Sequence, residues 1–417
     1  MQFCKRCLYP SVHPLNIVID EEGICSGCRV HDEKNTIDWQ ERSKRLKTIL
    51  SDYRSNSGLN YDCIIPVSGA RDSFFIVHTI KNVYGMNPLL VTYNKHYNTA
   101  VGYKNLARLR TVFDCDILTL TVNPQAVKAI TRATLRRLGS IYWHCIAGQT
   151  VFPVQIAVKF KIPLIIWGAH QGIDQVGMFS HLDEVEMTRK YRKEHDLMGL
   201  EAEDLISDFD NIKYEYISPY IYPDNIELEQ VGVRGIYLNN FIRWDSRIQH
   251  EEMISLYGYE TSLLSRTFDY YNDIDCWNYS NLHDYIKVLK HGYGKVLDHA
   301  VRDIRLGHLS RESGIKLVTK YSNAKLSKSS LFFEWLGINQ NSFEYIIDQH
   351  RNPLFWHRDS DWDWQTSFDI IKTLNDFSPN THYEGNDEST INEFILTDKM
   401  PTSDETNKYI IIGKGCS

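Results

Sequence analysis

Tyr61-Asp62-Cys63-Ile64-Ile65-Pro66-Val67-Ser68-Gly69-Ala70-Arg71-Asp72-Ser73 is the stretch whose reading decides the fold. A short apolar run ends in small and polar residues, and Ile76, Ile80 and Val83 follow at i, i+4 and i+7. That pattern is strand, loop and helix. The small residues of the loop let backbone approach a ligand closely, and the free amides of a helix start favour an anion. The hydroxyls of Ser68 and Ser73 can donate, Arg71 can neutralise charge, and Asp72 is a candidate to hold Mg2+ between phosphate oxygens. No GxxxxGK(S/T) segment occurs in the chain, so the loop is not of the Walker type. A serine-glycine turn that merely opens a helix is the bland alternative, and the position after the first strand of a repeated series weighs against it.

The unit repeats downstream. Pro88-Leu89-Leu90-Val91-Thr92-Tyr93 reads as a second strand, followed by a helix marked by Leu106, Leu109 and Phe113. Residues 117–121 read as a third strand, residues 124–138 and 145–160 as helices, and Ile162-Pro163-Leu164-Ile165-Ile166-Trp167-Gly168 closes the series. Apolar strands alternating with amphipathic helices predict an α/β domain, a parallel sheet with helices on both faces. Ligands of such sheets bind at the carboxyl ends of the strands, so the loops after Val67, Thr92 and Trp167 converge on one crevice.

Before this domain stand Cys4, Cys7, Cys25 and Cys28, spaced CxxC and CxxC. Zinc takes four soft donors in a tetrahedron, and two such turns supply them, with Gly23 and Gly27 giving the tight backbone of the knuckles. Two disulfides or four unrelated thiols are the alternatives. Disulfides would require a secreted protein, and Met1-Gln2-Phe3-Cys4 leaves no room for a signal peptide. The expected role is structural, because a closed four-sulfur site has no open position. Cys63, Cys115, Cys145, Cys276 and Cys416 show no second metal spacing.

The chain of 417 residues is long enough for two or three domains, and 42% hydrophobic with 24% charged residues is globular composition. No run reaches the roughly 18 apolar residues of a membrane span. A cytoplasmic protein without membrane insertion is expected. The net charge of −7 argues against a nucleic-acid partner, and Arg132, Arg136 and Arg137 at helical spacing read as a solvated face. The divisions are a ribbon at 1–35, a helical connector at 36–58 with Leu46, Ile49 and Leu50 on one face, and the α/β domain at 59–247. A helical region follows at 248–377, then a polar tail at 378–417 for which composition predicts partial disorder. Within that tail only Phe394-Ile395-Leu396 and Ile410-Ile411-Ile412 are apolar.

The loop resembles the SGGxDS signature of the PP-loop ATP pyrophosphatases, which split ATP between the α and β phosphates and adenylate an oxygen of their substrate. By this resemblance Ser68, Gly69, Arg71, Asp72 and Ser73 hold the pyrophosphate of ATP. Ala70 stands where the family has its second glycine, and its methyl group crowds the phosphate path. The combination is narrower. A CxxC and CxxC ribbon, this loop, Cys276-Trp277-Asn278-Tyr279-Ser280-Asn281-Leu282-His283-Asp284-Tyr285, Gly292-Tyr293-Gly294-Lys295 and the stretch from Asp298 to Gly307 together resemble the N-acetyl sugar amidotransferases of surface-polysaccharide and nonulosonate biosynthesis. The likeness runs from the ribbon to about residue 350.

This resemblance implies conversion of the acetamido group of a nucleotide-activated sugar, in lipopolysaccharide O-antigen or surface-glycan biosynthesis, into an acetamidino group. ATP and Mg2+ activate the amide oxygen, and ammonia comes from a separate glutaminase, since no GxCxG segment and no cysteine at position 2 is present. Thr92 and Tyr93 then fall where such enzymes place adenine, and Gly168, His170, Gln171 and Asp174 reach the crevice. His170 and Asp174 are candidates for proton transfer from ammonia, against a satisfied structural histidine at 170. Asp298, Arg302 and Arg305 are candidates for the sugar diphosphate, against an ion-paired helix. Two other classes compete: a PP-loop tRNA thiolase, disfavoured by acidic charge and the lack of a paired cysteine in the sheet domain, and a nonenzymatic nucleotide-binding subunit.

Overall fold

The computed structural model describes residues 2–69, 72–207, 210–322, 324, 326, 329–367, 369–376, 393–395 and 408–411. Strands β1 (Cys63–Pro66), β2 (Pro88–Tyr93), β4 (Ile117–Leu120), β5 (Leu164–Trp167) and β6 (Arg234–Tyr237) form one parallel sheet, and β3 (Tyr97–Thr99) lies outside it. The order across the sheet is β4-β2-β1-β5-β6. The chain therefore starts in the middle, builds outward through β2 and β4, then crosses back to lay β5 and β6 on the other side. Between β1 and β5 the direction of winding reverses, which opens a crevice at their carboxyl ends.

Alternation along the strands sends side chains to two cores. Cys63, Ile65, Leu90, Leu164, Ile166 and Ile236 pack on one face with Phe74, Ile76 and Ile80 of the helical segment after β1. Ile64, Leu89, Val91 and Ile165 pack on the other with Val151, Val154 and Ala157 of the helix Trp143–Phe160. Both faces are covered, so the central strands β1, β2 and β5 are chiefly apolar. Of the sequence reading, β6 is the strand of this sheet that was missed. Gly235 breaks its apolar run, and a Cβ there would stand 2.6 Å from Met187 Cβ.

Gly148 sits in the helix Trp143–Phe160 where a Cβ would lie 2.2 Å from the Tyr93 ring. Gly148→Ala is expected to destabilise by ~3 kcal/mol or more through overpacking, read as a lowered denaturant midpoint with an unchanged slope.

A third core belongs to the four cysteines. Leu8, Tyr9 and Ile17 pack with Tyr293, Val296, Leu297, Ala300 and Val301 of the helical region. The amino-terminal residues and the helix Lys295–Arg305 thus share one hydrophobic interior, although nearly 300 residues separate them in sequence. The region after Ser246 is chiefly helical, including Ser246–Tyr257, Asp284–His291, Lys295–Arg305, Arg311–Ser322, Ser330–Leu336 and Gln340–Asp348. A hairpin of β7 (Trp356–Arg358) and β8 (Trp364–Thr366) follows. Two stretches of the expected polar tail are described, β9 (Glu393–Ile395) and β10 (Lys408–Ile411). They pair in parallel, and β10 also pairs antiparallel with β3. The rest of that tail, with Cys416, lies outside the described residues. Among the described residues no helix is long and apolar enough to cross a membrane.

Candidate functional site

Gly69 takes φ +77, and a Cβ there would stand 2.9 Å from the Gly102 carbonyl oxygen and 3.0 Å from Leu106. Both backbone and space demand glycine at this turn. The Ser68 amide donates to Ser73 Oγ at 3.1 Å, which folds the loop back over the start of the helix. Asp72 ends the loop, and its Oδ2 lies 3.2 Å from the place a Gly168 Cβ would take. The loops after β1 and β5 therefore touch at Asp72 and Gly168, across the crevice set by the strand order. Ala70 and Arg71 lie outside the described residues.

A cavity of about 490 Å³ opens here, and Ser68, Asp72, Gln171, Asp174, Asp298, Arg302 and Arg305 all line it. Tyr9 from the amino-terminal module lines it as well. Thr92 and Tyr93 are not part of its wall; both are buried, and the Tyr93 hydroxyl is held by His144 Nδ1 at 3.0 Å and Tyr220 at 2.8 Å. Lys95, two residues beyond β2, reaches the cavity and makes a buried ion pair with Asp275. Its place after a strand end was a signal available in the sequence. Lys287, Lys295, Asp273 and Asp275 also line the cavity, and local sequence offered no such signal for them.

The charges stand in pairs. Lys287 pairs with Asp298, which also accepts from the Tyr9 hydroxyl at 2.9 Å. Lys295 pairs with Asp273 at 3.0 Å and stands 2.8 Å from the centre of the Tyr279 ring. Arg302 donates to Asp269 at 2.8 Å and to Asp303 at 2.9 Å. Lys34 donates to Asp174 at 2.7 Å and to the Trp244 carbonyl at 3.2 Å. Burial by itself would raise the Asp174, Asp298 and Asp269 carboxyls, but Lys34, Lys287 and Arg302 respectively outweigh it and hold all three below the usual carboxylate range. A cation in such a pair can exchange its carboxylate for another anion of like geometry.

Those depressed carboxyls fix an acid limit. Each contributes stability that is fully present above the unfolded value near pH 4 and is lost as pH falls through its folded value. Unfolding of the helical region is therefore expected to begin below about pH 4, with near-UV circular dichroism as the check. Retention of native signal at pH 2 would show that these pairs carry little of the fold.

The four sulfurs of Cys4, Cys7, Cys25 and Cys28 lie within 4.8 Å of one another, all buried. Cys4 Sγ stands 3.9 Å from Cys28 Sγ, and Cys7 Sγ 3.6 Å from Cys25 Sγ. Sulfurs at ~2.3 Å from a tetrahedral zinc ion are about 3.8 Å apart, whereas a disulfide needs about 2.05 Å. The Cys7 and Cys25 amides donate to Cys4 Sγ at 3.5 and 3.3 Å. The cluster fits zinc and could hold it.

Arg305 joins this cluster to the cavity. Its guanidinium donates to the Gln175 carbonyl at 2.5 Å and lies 3.4 Å from Cys25 Sγ. A Cβ on Gly27 would meet the same guanidinium at 2.3 Å, so the knuckle glycine makes room for it. His170 caps the short helix Gln171–Asp174, its Nδ1 accepting from the Gly172 amide at 3.1 Å, and it faces a second, smaller cavity rather than the first.

Residues 265–369 match the family profile described as LPS biosynthesis protein WbpG-like, C-terminal domain. That span includes Asp298, Arg302 and Arg305 and most of the helical region. No curated protein matches the chain significantly. Four solved chains match it, among them an NMN synthetase from Francisella tularensis. That structure is 14% identical, with a TM-score of 0.26 over 54% of this chain and 98% of its own length.

Proposed function

We propose that the protein is an ATP-dependent amidotransferase that turns the acetamido group of a nucleotide-activated sugar into an acetamidino group, in lipopolysaccharide O-antigen or related surface-glycan biosynthesis. One observation carries the reading: the loop after β1 and the helical region that matches the lipopolysaccharide-biosynthesis profile line the same cavity of about 490 Å³.

An amide carbonyl is a poor electrophile and its oxygen a poor leaving group. Transfer of AMP from ATP to that oxygen solves both problems, and ammonia then expels AMP. The loop from Ser68 to Ser73 takes the pyrophosphate. Asp72 would hold Mg2+, which supplies charge neutralisation on the phosphates. Lys95, beyond β2, faces the phosphates, and Lys287, Lys295 and Arg302 take the sugar diphosphate by exchange with their carboxylates. The four cysteines would hold zinc and brace the module that carries Tyr9 into the cavity. Ammonia is delivered by a glutaminase partner.

The test is pyrophosphate release from ATP with UDP-N-acetyl sugars and ammonium. Release that depends on the sugar, with a product one mass unit lighter, supports the reading. Release that depends on tRNA instead, or none at all with any acetamido sugar, overturns it.

A further inference from the structure

Five lysines and arginines line the main cavity, and four of them have a carboxylate. Lys95 pairs with Asp275, Lys287 with Asp298, Lys295 with Asp273, and Arg302 with Asp269 and Asp303. Arg305 is the exception, because among the described residues no carboxylate pairs with it. Its terminal nitrogens are nonetheless engaged. One donates to the Gln175 carbonyl at 2.5 Å and to the Asp174 carbonyl at 3.4 Å, and the other reaches Cys25 Sγ at 3.4 Å and Cys7 Sγ at 4.0 Å. The N–H bonds on those two nitrogens therefore have their acceptors, half of them sulfur, and the remaining N–H, on Nε, is buried. No open fork is left for a phosphate, which takes an arginine through two parallel N–H bonds.

The sulfurs supply the missing charge. A divalent ion held by four thiolates leaves the centre doubly negative, and all four cysteines are buried, so the centre needs a cation beside it. The chain shapes that contact from both sides. Gly27, between Cys25 and Cys28, is the residue whose Cβ would meet the guanidinium at 2.3 Å, and the Tyr9 ring centre lies 5.3 Å from its Cζ. We propose that Arg305 is the counter-ion of the tetrathiolate centre, a positioning residue that serves the metal rather than the sugar. The same guanidinium holds the carbonyls of Asp174 and Gln175, and both residues line the cavity, so the charge of the centre also anchors this part of the cavity wall.

The inference rests on the zinc reading of the four cysteines and is independent of the reaction the cavity performs. Groups that hydrogen-bond metal ligands are worth ~10–100-fold in metal affinity, and a positive charge beside two thiolates belongs to that class. Taking the charge away also raises the energy of the sulfur lone pairs. In cobalt-substituted protein the sulfur-to-cobalt charge-transfer band then moves to lower energy, a shift that a loosened fold alone does not produce.

Arg305→Met and Arg305→Lys are the variants, each checked by thermal melting, with zinc transfer to a chelating dye and the absorption spectrum of the cobalt form as readouts. Arg305→Met is expected to lose zinc about tenfold faster than wild type or more, and to shift the charge-transfer band to lower energy. Arg305→Lys keeps the charge and is expected to fall between the two. Should Arg305→Met fail to fold, Gly27→Ala displaces the guanidinium without removing it and is expected to move the band the same way. An unshifted band in folded Arg305→Met, or in Gly27→Ala where it stands in, overturns the proposal even if zinc leaves faster, because faster loss alone is what a purely structural arginine would give. If the protein takes up neither zinc nor cobalt, the metal reading fails and the counter-ion fails with it.

Discussion

Stripping zinc with a chelator, or replacing Cys25 by serine, is expected to unfold more than the amino-terminal module. The four cysteines lie in one core with Val296, Leu297, Ala300 and Val301, and Arg305 donates to both Cys25 Sγ and the Gln175 carbonyl. Structural zinc is worth ~10–16 kcal/mol in small domains, comparable to the whole stability of a typical domain. Loss of several kcal/mol here lowers Tm by about 10 °C or more. Metal analysis should find one zinc per chain, and hydrogen exchange should show lost protection at 295–305 as well as at 3–33. A chelated protein that melts at the native temperature, or that loosens at the ribbon alone, would break the coupling.

Asp72→Asn is expected to be the most damaging single change to catalysis. The carboxylate ends the loop after β1 and lies 3.2 Å from the place a Cβ on Gly168, in the loop after β5, would take. Removing its charge removes the group that would hold Mg2+ on the phosphates, a loss of about 10³ in kcat, or ~4 kcal/mol of transition-state stabilisation. The measurement is sugar-dependent pyrophosphate release across a magnesium titration, with melting temperature as the control for folding. Asparagine occupies nearly the same volume, so Tm is expected to hold. A variant that keeps more than a tenth of wild-type turnover at saturating magnesium would remove Asp72 from that role.

The two expectations differ in how far sequence supports them. Cys4, Cys7, Cys25 and Cys28 are legible because a metal needs a fixed spacing of one residue type, and four cysteines in two CxxC turns match that spacing. Asp72 is legible because it follows an apolar strand and a run of small residues, a purely local pattern. Lys95 was one step from legible, lying just beyond Tyr93 at a strand end.

Arg302 and Arg305 read alike in sequence, at i and i+3 on one helix, yet the fold gives them different neighbours. Arg302 is paired with Asp269 and Asp303, whereas Arg305 reaches the cysteine cluster. Tyr93, expected at the adenine position through its backbone, has its hydroxyl tied to His144 and Tyr220 inside the protein.

Sequence alone determined the α/β domain, its strand and helix rhythm, the small-residue loop after β1 and the four-cysteine cluster. These follow from period-2 and period-3.6 patterning and from ligand spacing, which act over a few residues. Only the tertiary structure decided that the ribbon, the sheet and the helical region close on one cavity, which carboxylate each paired lysine and arginine faces, and that Arg305 faces sulfur instead. Those are contacts between residues up to nearly 300 positions apart. They depend on how three hydrophobic faces bury one another, and no local pattern encodes that.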